Sequence, residues 1–168
     1  RRSGSSWSKE ATINASNAGY GDYFGNDVKI ENNTLVVGTP YEDSNQKTIT
    51  NGTSSSTNNG AEDTGAVYVF TRSGSNWTQQ AYIKAANADN IDRFGMMISL
   101  SGDTLAVGVE EEDSSSTTTI NGNTASDDNS EGAAGAVYIY KRSGNNEESV
   151  RCLVYGCIIP RPFDIVLP

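Results

Sequence analysis

The 168-residue chain contains no histidine, only two cysteines and four prolines, and it has far fewer basic than acidic groups. Without histidine it lacks the commonest general base and the commonest zinc ligand. Twelve Lys and Arg against twenty-one Asp and Glu give a net charge of −9. The basic residues are scattered, so no cluster exists to bind a phosphate backbone, and nucleic-acid recognition is excluded as an expectation. No run reaches the length of a membrane span. The first residues, "RRSGSSWSKEATINASN", carry charge without the apolar segment of a signal peptide, and read as starting inside a repeat, as in a fragment or mature form. The cysteines, Cys152 and Cys157, sit together in the apolar stretch "CLVYGCIIP", so the rest of the chain needs no disulfide. Their spacing is open to a small loop or to two thiols.

What the chain does have is repetition. "DYFGNDVKIENNTLVVGTP" from Asp22 recurs as "DRFGMMISLSGDTLAVGVE" from Asp92, 70 positions later and without a gap. "RSGSSW" from Arg2 recurs as "RSGSNW" from Arg72, and "TGAVYVF" from Thr64 as "AGAVYIY" from Ala134. A third copy opens at Lys141 and fades by about Asn145. The chain therefore divides into repeats at 1–70 and 71–140, and a segment at 141–168 that starts a third repeat and ends in a divergent apolar tail. The tail, with its β-branched residues, is suited to adding a strand to an open sheet edge.

Within each repeat the apolar residues alternate with period two over short runs, a strand pattern. "DVKIENNTLVVG" and "MISLSGDTLAVG" read as hairpins, and so does 65–85, where "GAVYVFTR" and "WTQQAYIKA" flank a "SGSN" turn. The fold class expected is all-β, with antiparallel four-stranded blades of a β-propeller in two tandem repeats and a truncated third. Between the second and third strands lie two long segments, 44–64 and 114–134, rich in Ser, Thr, Asn and Gly. Composition favours solvated insertions over binding loops. The Asn-Gly pairs at Asn51 and Gly52, and at Asn121 and Gly122, suggest that each folds back as a small hairpin.

The ordered motifs "YFG" or "RFG", "NNTLVVGTP" or "SGDTLAVGV", "YED" or "EED", and "GAVYVF" or "GAVYIY" resemble the FG-GAP repeat of integrin-α-type β-propellers, in the bacterial variety of secreted and cell-surface proteins. The likeness runs from residue 1 to about 144 and implies blades that close a ring with others. It also implies adhesion or ligand binding at the cell exterior in preference to catalysis. Two features depart from the pattern. Gly38-Thr39-Pro40 becomes Gly108-Val109-Glu110 in the second copy, and the Asp-x-Asp-x-Asp-Gly calcium loop of integrin blades has no match.

Phe24 with Gly25, and Phe94 with Gly95, read as packing between blades, the glycine letting the backbone turn beneath the ring. Trp7 and Trp77, each at the start of a strand, read as blade packing as well. The acidic loop starts are Glu42, Asp43 and Glu110, Glu111, Glu112, Asp113. Solvated charge is their simplest role. Calcium is the one cofactor they suit, with Asp43 and Asp113 as candidate ligands. The same carboxylates are the basis of the alternative reading, a carbohydrate-active enzyme domain. Asn14, Asn32, Asn51 and Asn76 match the N-glycosylation acceptor pattern, and the Ser/Thr clusters at 54–57 and 114–119 offer sites for O-linked sugars.

The reading as a whole is a non-catalytic extracellular module for adhesion, for binding a protein or glycan, or for surface assembly. Two blades share only one apolar face, which predicts self-association into a ring or fibre through residues such as Phe24, Val37, Val67, Phe94, Val107 and Val137.

Overall fold

The computed structural model describes residues 2–143 and 150–152. Alternating apolar residues and Gly- or Asn-centred turns set its strands, in chain order: β1 (Arg2–Ser3), β2 (Ser6–Trp7), β3 (Asp27–Glu31), β4 (Thr34–Thr39), β5 (Thr50–Asn51), β6 (Ala66–Ser73), β7 (Asn76–Ile83), β8 (Met97–Ser101), β9 (Thr104–Val109), β10 (Ala136–Arg142) and β11 (Val150–Cys152). There is no helix among the described residues. The all-β, antiparallel expectation holds, and the three predicted hairpins form, at β3–β4, β6–β7 and β8–β9. Asn32 takes the positive φ, 53°, that the tight β3–β4 turn demands.

Two sheets result. The first has the order β3-β4-β6-β7-β5 and the second the order β8-β9-β10-β11. Every strand of the β3-β4-β6 set has its counterpart 70 residues on, in β8-β9-β10. The first sheet draws on residues 27–83, so it runs across the sequence boundary at 70. The β1–β2 hairpin pairs Arg2 with Trp7 and Ser3 with Ser6, the register in which β6 and β7 pair Arg72 with Trp77 and Ser73 with Asn76. β11 pairs with β10 by matching Cys152 to Tyr140, whereas the counterpart of Tyr140 in the first sheet, Phe70, pairs with Gln79. The fourth strand of the second sheet is thus displaced by three residues from the 70-residue offset. Cys157 and the tail beyond Cys152 lie outside the described residues.

Period-two alternation gives each sheet two apolar faces. Val36, Val67, Val69 and Ile83 point to one side of the first sheet and meet Phe94, Ile98, Leu105, Val107, Tyr138 and Tyr140 of the second repeat. This is the core between blades. On the opposite side, Val37, Tyr68, Phe70 and Tyr82 are covered by Ala15, Ile13 and Phe24. Phe94 stands edge-on to Tyr138 and Tyr140 at 5.5 and 6.0 Å between ring centres, and Phe24 does the same to Tyr68 and Phe70 at 5.3 and 6.2 Å. Phe94 is fully buried and Phe24 half-buried. Trp77 packs beneath the Arg72 guanidinium, but Trp7 is 79% exposed, contrary to the expectation for it, because the β1–β2 hairpin has no sheet behind it.

Candidate functional site: the anchored insertions

β4 and β9 each end at a sharp turn that carries the acidic loop starts. Glu42 and Glu112, only 1% and 3% exposed, turn inward. Oε2 of each accepts the backbone N–H two residues on, Ser44 or Ser114, at 3.1 Å. Oε1 accepts the side-chain amide of Asn17 at 2.9 Å, or of Asn87 at 2.7 Å. The same amide nitrogen donates to the carbonyl of Ser56 or Ser126, inside the insertion. The amide oxygen accepts the hydroxyl of Tyr68 or Tyr138 from the third strand. One amide, buried at Asn87 and half-buried at Asn17, thereby ties the segment before the blade, the loop start, the insertion and the sheet. Each of its polar groups is matched, as a buried amide requires.

The aspartates beside them close the base of the insertions. Asp43 Oδ1 accepts from Asp63 N at 2.9 Å, and Asp113 Oδ1 accepts from Ala133 N at 2.6 Å. Their carbonyls accept from Ala61 N and Glu131 N, and the carbonyls of Glu42 and Glu112 accept from Gly65 N and Gly135 N. Asp43 and Asp113 therefore sit in separate blades, each engaged by its own loop. Among the described residues no three of His, Cys, Asp and Glu gather as a metal-ligand set. Glu110 is exposed, and Glu111 lies 3.9 Å from the Arg93 guanidinium.

The first insertion does not fold back on itself as a hairpin. Gly52 does take a positive φ of 95°, but β5 pairs with the outer edge of β7, Thr50 opposite Tyr82 and Asn51 opposite Ala81, and Gly52 N donates to Gln80 O. An open strand edge offers a full row of partners, which a two-residue hairpin arm does not. The second insertion contains no strand, although Gly122 also takes a positive φ, 109°. The two insertions meet where Lys47 Nζ lies 3.5 Å from Asp127. Asn14, Asn32, Asn51 and Asn76 are all exposed.

The blades differ in one respect. In the first, Lys84 at the end of β7 is fully buried, donates to Glu42 Oε2 at 2.9 Å, and reaches the Thr64 hydroxyl. Glu112 has no ion-pair partner among the described residues, and burial raises the pKa of its carboxyl. Burial also lowers the pKa of Lys84 and raises those of the Tyr68 and Tyr82 phenols. Asp22 and Asp92 open the repeats and accept the N–H of Gly19 and Asp89 at 2.7 Å. Burial, reinforced by the neighbouring Glu112, pushes Asp92 up to about 7, and Asp22 is raised for the same first reason.

Sequence reasoning did not single out Asn17, Asn87, Lys84, Asp22 or Asp92 as site residues. Asn17 and Asn87 recur at the 70-residue spacing, as do Asp22 and Asp92, and that signal was there to be used. Lys84 has no such signal, because its counterpart in the first repeat is Asn14.

No curated protein is significantly similar to the chain. The FG-GAP repeat family model matches it twice, over 7–70 and 77–140. The glycine and aromatic of each "FG" and the carboxylate and Tyr that hold each insertion all fall inside those two matches. Two matched repeats spanning most of its length place this chain in the FG-GAP repeat family.

Proposed function

We propose that the chain is a non-catalytic binding or structural module of an extracellular or cell-surface protein, and that the insertions at 44–64 and 114–134 are its ligand-facing elements. One observation carries the reading. Both insertions are fastened by the same buried carboxylate–amide–tyrosine arrangement, so that long polar segments of little intrinsic structure are held in fixed positions side by side. A surface of hydroxyls and amides on a rigid scaffold suits hydrogen bonding to a glycan or a polar protein surface, and binding segments are commonly loops on such scaffolds.

A glycan array and a panel of extracellular-matrix proteins, probed with the native chain and with one in which 116–125 is replaced by a Gly/Ser segment of equal length, test it. Binding that disappears in the replacement while the β-sheet circular dichroism persists supports the reading; equal binding by both chains rejects it.

The alternative, a carbohydrate-active enzyme, draws on Asp92, whose pKa of about 7 beside Glu112 suits a proton donor near neutral pH. The same pairing of Asp22 with Glu42 in the other blade speaks for a structural role instead. Glycosidase turnover that vanishes in Asp92→Asn would reverse the order of the two readings.

A further inference from the structure

The contact between the two blades has a template on each side of the pair. Val36, Val67 and Val69 of the first sheet are buried by the second blade, while their counterparts on the outer face of the second sheet, Ala106, Val137 and Ile139, stay half-exposed. Ile98 of the second blade is 6% exposed against the first, and Leu100 packs there too. Their counterparts on the outer face of the first blade, Val28 and Ile30, are 47% and 63% exposed. Each open face has the composition of the surface that the other one would need.

The glycines carry the argument further. A Cβ on Gly38 would stand 1.9 Å from the carbonyl oxygen of Gly95, so the "FG" turn of the second blade rests directly on the backbone of the first. The counterpart of Gly38 is Gly108. A Cβ there would meet nothing nearer than the flexible end of Met97, at 3.3 Å, and its φ is not in the left-handed region. The counterpart of Gly95 is Gly25, with nothing within 4 Å of its Cβ position. Nothing within the described chain requires glycine at 108, whereas a second "FG" turn seated on it would.

We propose that copies of this chain stack head to tail, the Ala106, Val137 and Ile139 face of one docking on the Val28 and Ile30 face of the next, with Gly25 seated on Gly108. The occupant is a second copy because both halves of the contact are present on this one chain and its own blade pair shows how they fit. Such a contact is heterologous, so it propagates or closes a ring and does not stop at a dimer. The inference rests on the sheet faces and not on the insertions, so it stands apart from the ligand-binding reading.

The contact between copies is weaker than the one within a chain for a definite reason. Inside the chain Asp27 Oδ2 accepts Ile98 N at 2.9 Å and Glu31 Oε2 accepts Gly102 N at 2.7 Å. At the second face Met97 and Ser101 occupy those two positions. The charge-assisted bonds are absent there.

Sedimentation velocity on the full chain tests the proposal with Ile30→Glu, which spoils one face, and Ile139→Glu, which spoils the other. The native chain is expected to show a concentration-dependent series of masses. Each variant alone should sediment as a monomer, and an equal mixture should form dimers and nothing larger, since one good face remains on each partner. A native chain that stays monomeric throughout the micromolar range overturns the proposal, as do variants that dimerise unmixed. Met97→Asp combined with Ser101→Glu guards against misfolded variants: it should tighten association several-fold, and unchanged association counts against the interface.

Discussion

At the residue scale, buried charge dominates. Lys84 and Glu42 form an ion pair with neither side chain more than 2% exposed. Lys84→Met leaves the carboxylate buried and unpaired, and such a change costs about 3–5 kcal/mol, while replacing both partners with apolar groups costs far less. Urea unfolding of Lys84→Met and of Lys84→Met with Glu42→Leu should show the double variant as the more stable. Asp92 makes the fold sensitive to pH. Its folded pKa of about 7 lies above its unconstrained value of 3.8, so between those values the native state holds the extra proton. Stability from this group is then full at the acid end of the window and falls as pH rises toward 7. Asp22 and Glu112, both raised, act in the same direction. Denaturation midpoints at pH 5 and pH 7.5 should differ in the native chain and differ less in Asp92→Asn. Ile91 supplies a third case, since it holds a φ of 72° that suits Gly, and its counterpart in the first repeat is Gly21 at 88°. Ile91→Gly should raise stability by up to about 1 kcal/mol, the left-handed penalty less the entropy of the added glycine, as read from the urea midpoint.

At the element scale, the close approach of backbone to backbone is what joins the blades. Ile91 N, Arg93 N and Phe94 N donate to the carbonyls of Glu62, Asp63 and Thr64, so the end of the first insertion is stitched to the segment that opens the second blade. Gly65, with a φ of 78°, and Gly38 lie against that segment, and a Cβ on either would come within 2.2 Å of its backbone oxygens. Backbone cannot step aside as a side-chain end can. Gly38→Ala is therefore expected to cost about 3 kcal/mol through overpacking. Gly108→Ala should leave the melting temperature of the isolated chain nearly unchanged, and differential scanning calorimetry on the pair separates the two positions.

At the scale of the whole molecule, net charge and metal come into question together. The chain carries −9, and an acidic protein gains stability from any cation held only by its folded form. Asp43 and Asp113 belong to separate blades, and each has one carboxylate oxygen engaged by its own loop. Calcium is expected to leave the melting temperature unchanged, and chelator likewise. A rise of several degrees in millimolar calcium would assign those aspartates to a metal after all.

The strands, their antiparallel hairpins and the two repeats were legible in the sequence because each depends on local periodicity and turn chemistry, repeated at one spacing: Asn32 marks its own turn, and "GAVYVF" reads as a strand without knowledge of its neighbours. The candidate site was legible only in part. Glu42, Asp43, Glu112 and Asp113 stood out as acidic loop starts, but the inward turn of the glutamates depends on Asn17 and Asn87, each 25 residues distant and held in turn by Tyr68 and Tyr138, and the loop-closing role of the aspartates on Asp63 N and Ala133 N, 20 residues on. Pairing between positions so far apart leaves no trace in local pattern. The same holds for Lys84, which reads as an exposed strand-end lysine until β7 is set beside the turn that carries Glu42, and for β5, whose choice of the β7 edge over a hairpin of its own is decided by which unpaired backbone lies within reach. What the sequence determined by itself was the repeat and the strands that alternation dictates; what the tertiary structure decided was which polar groups lost their water, because desolvation depends on neighbours brought together only by folding.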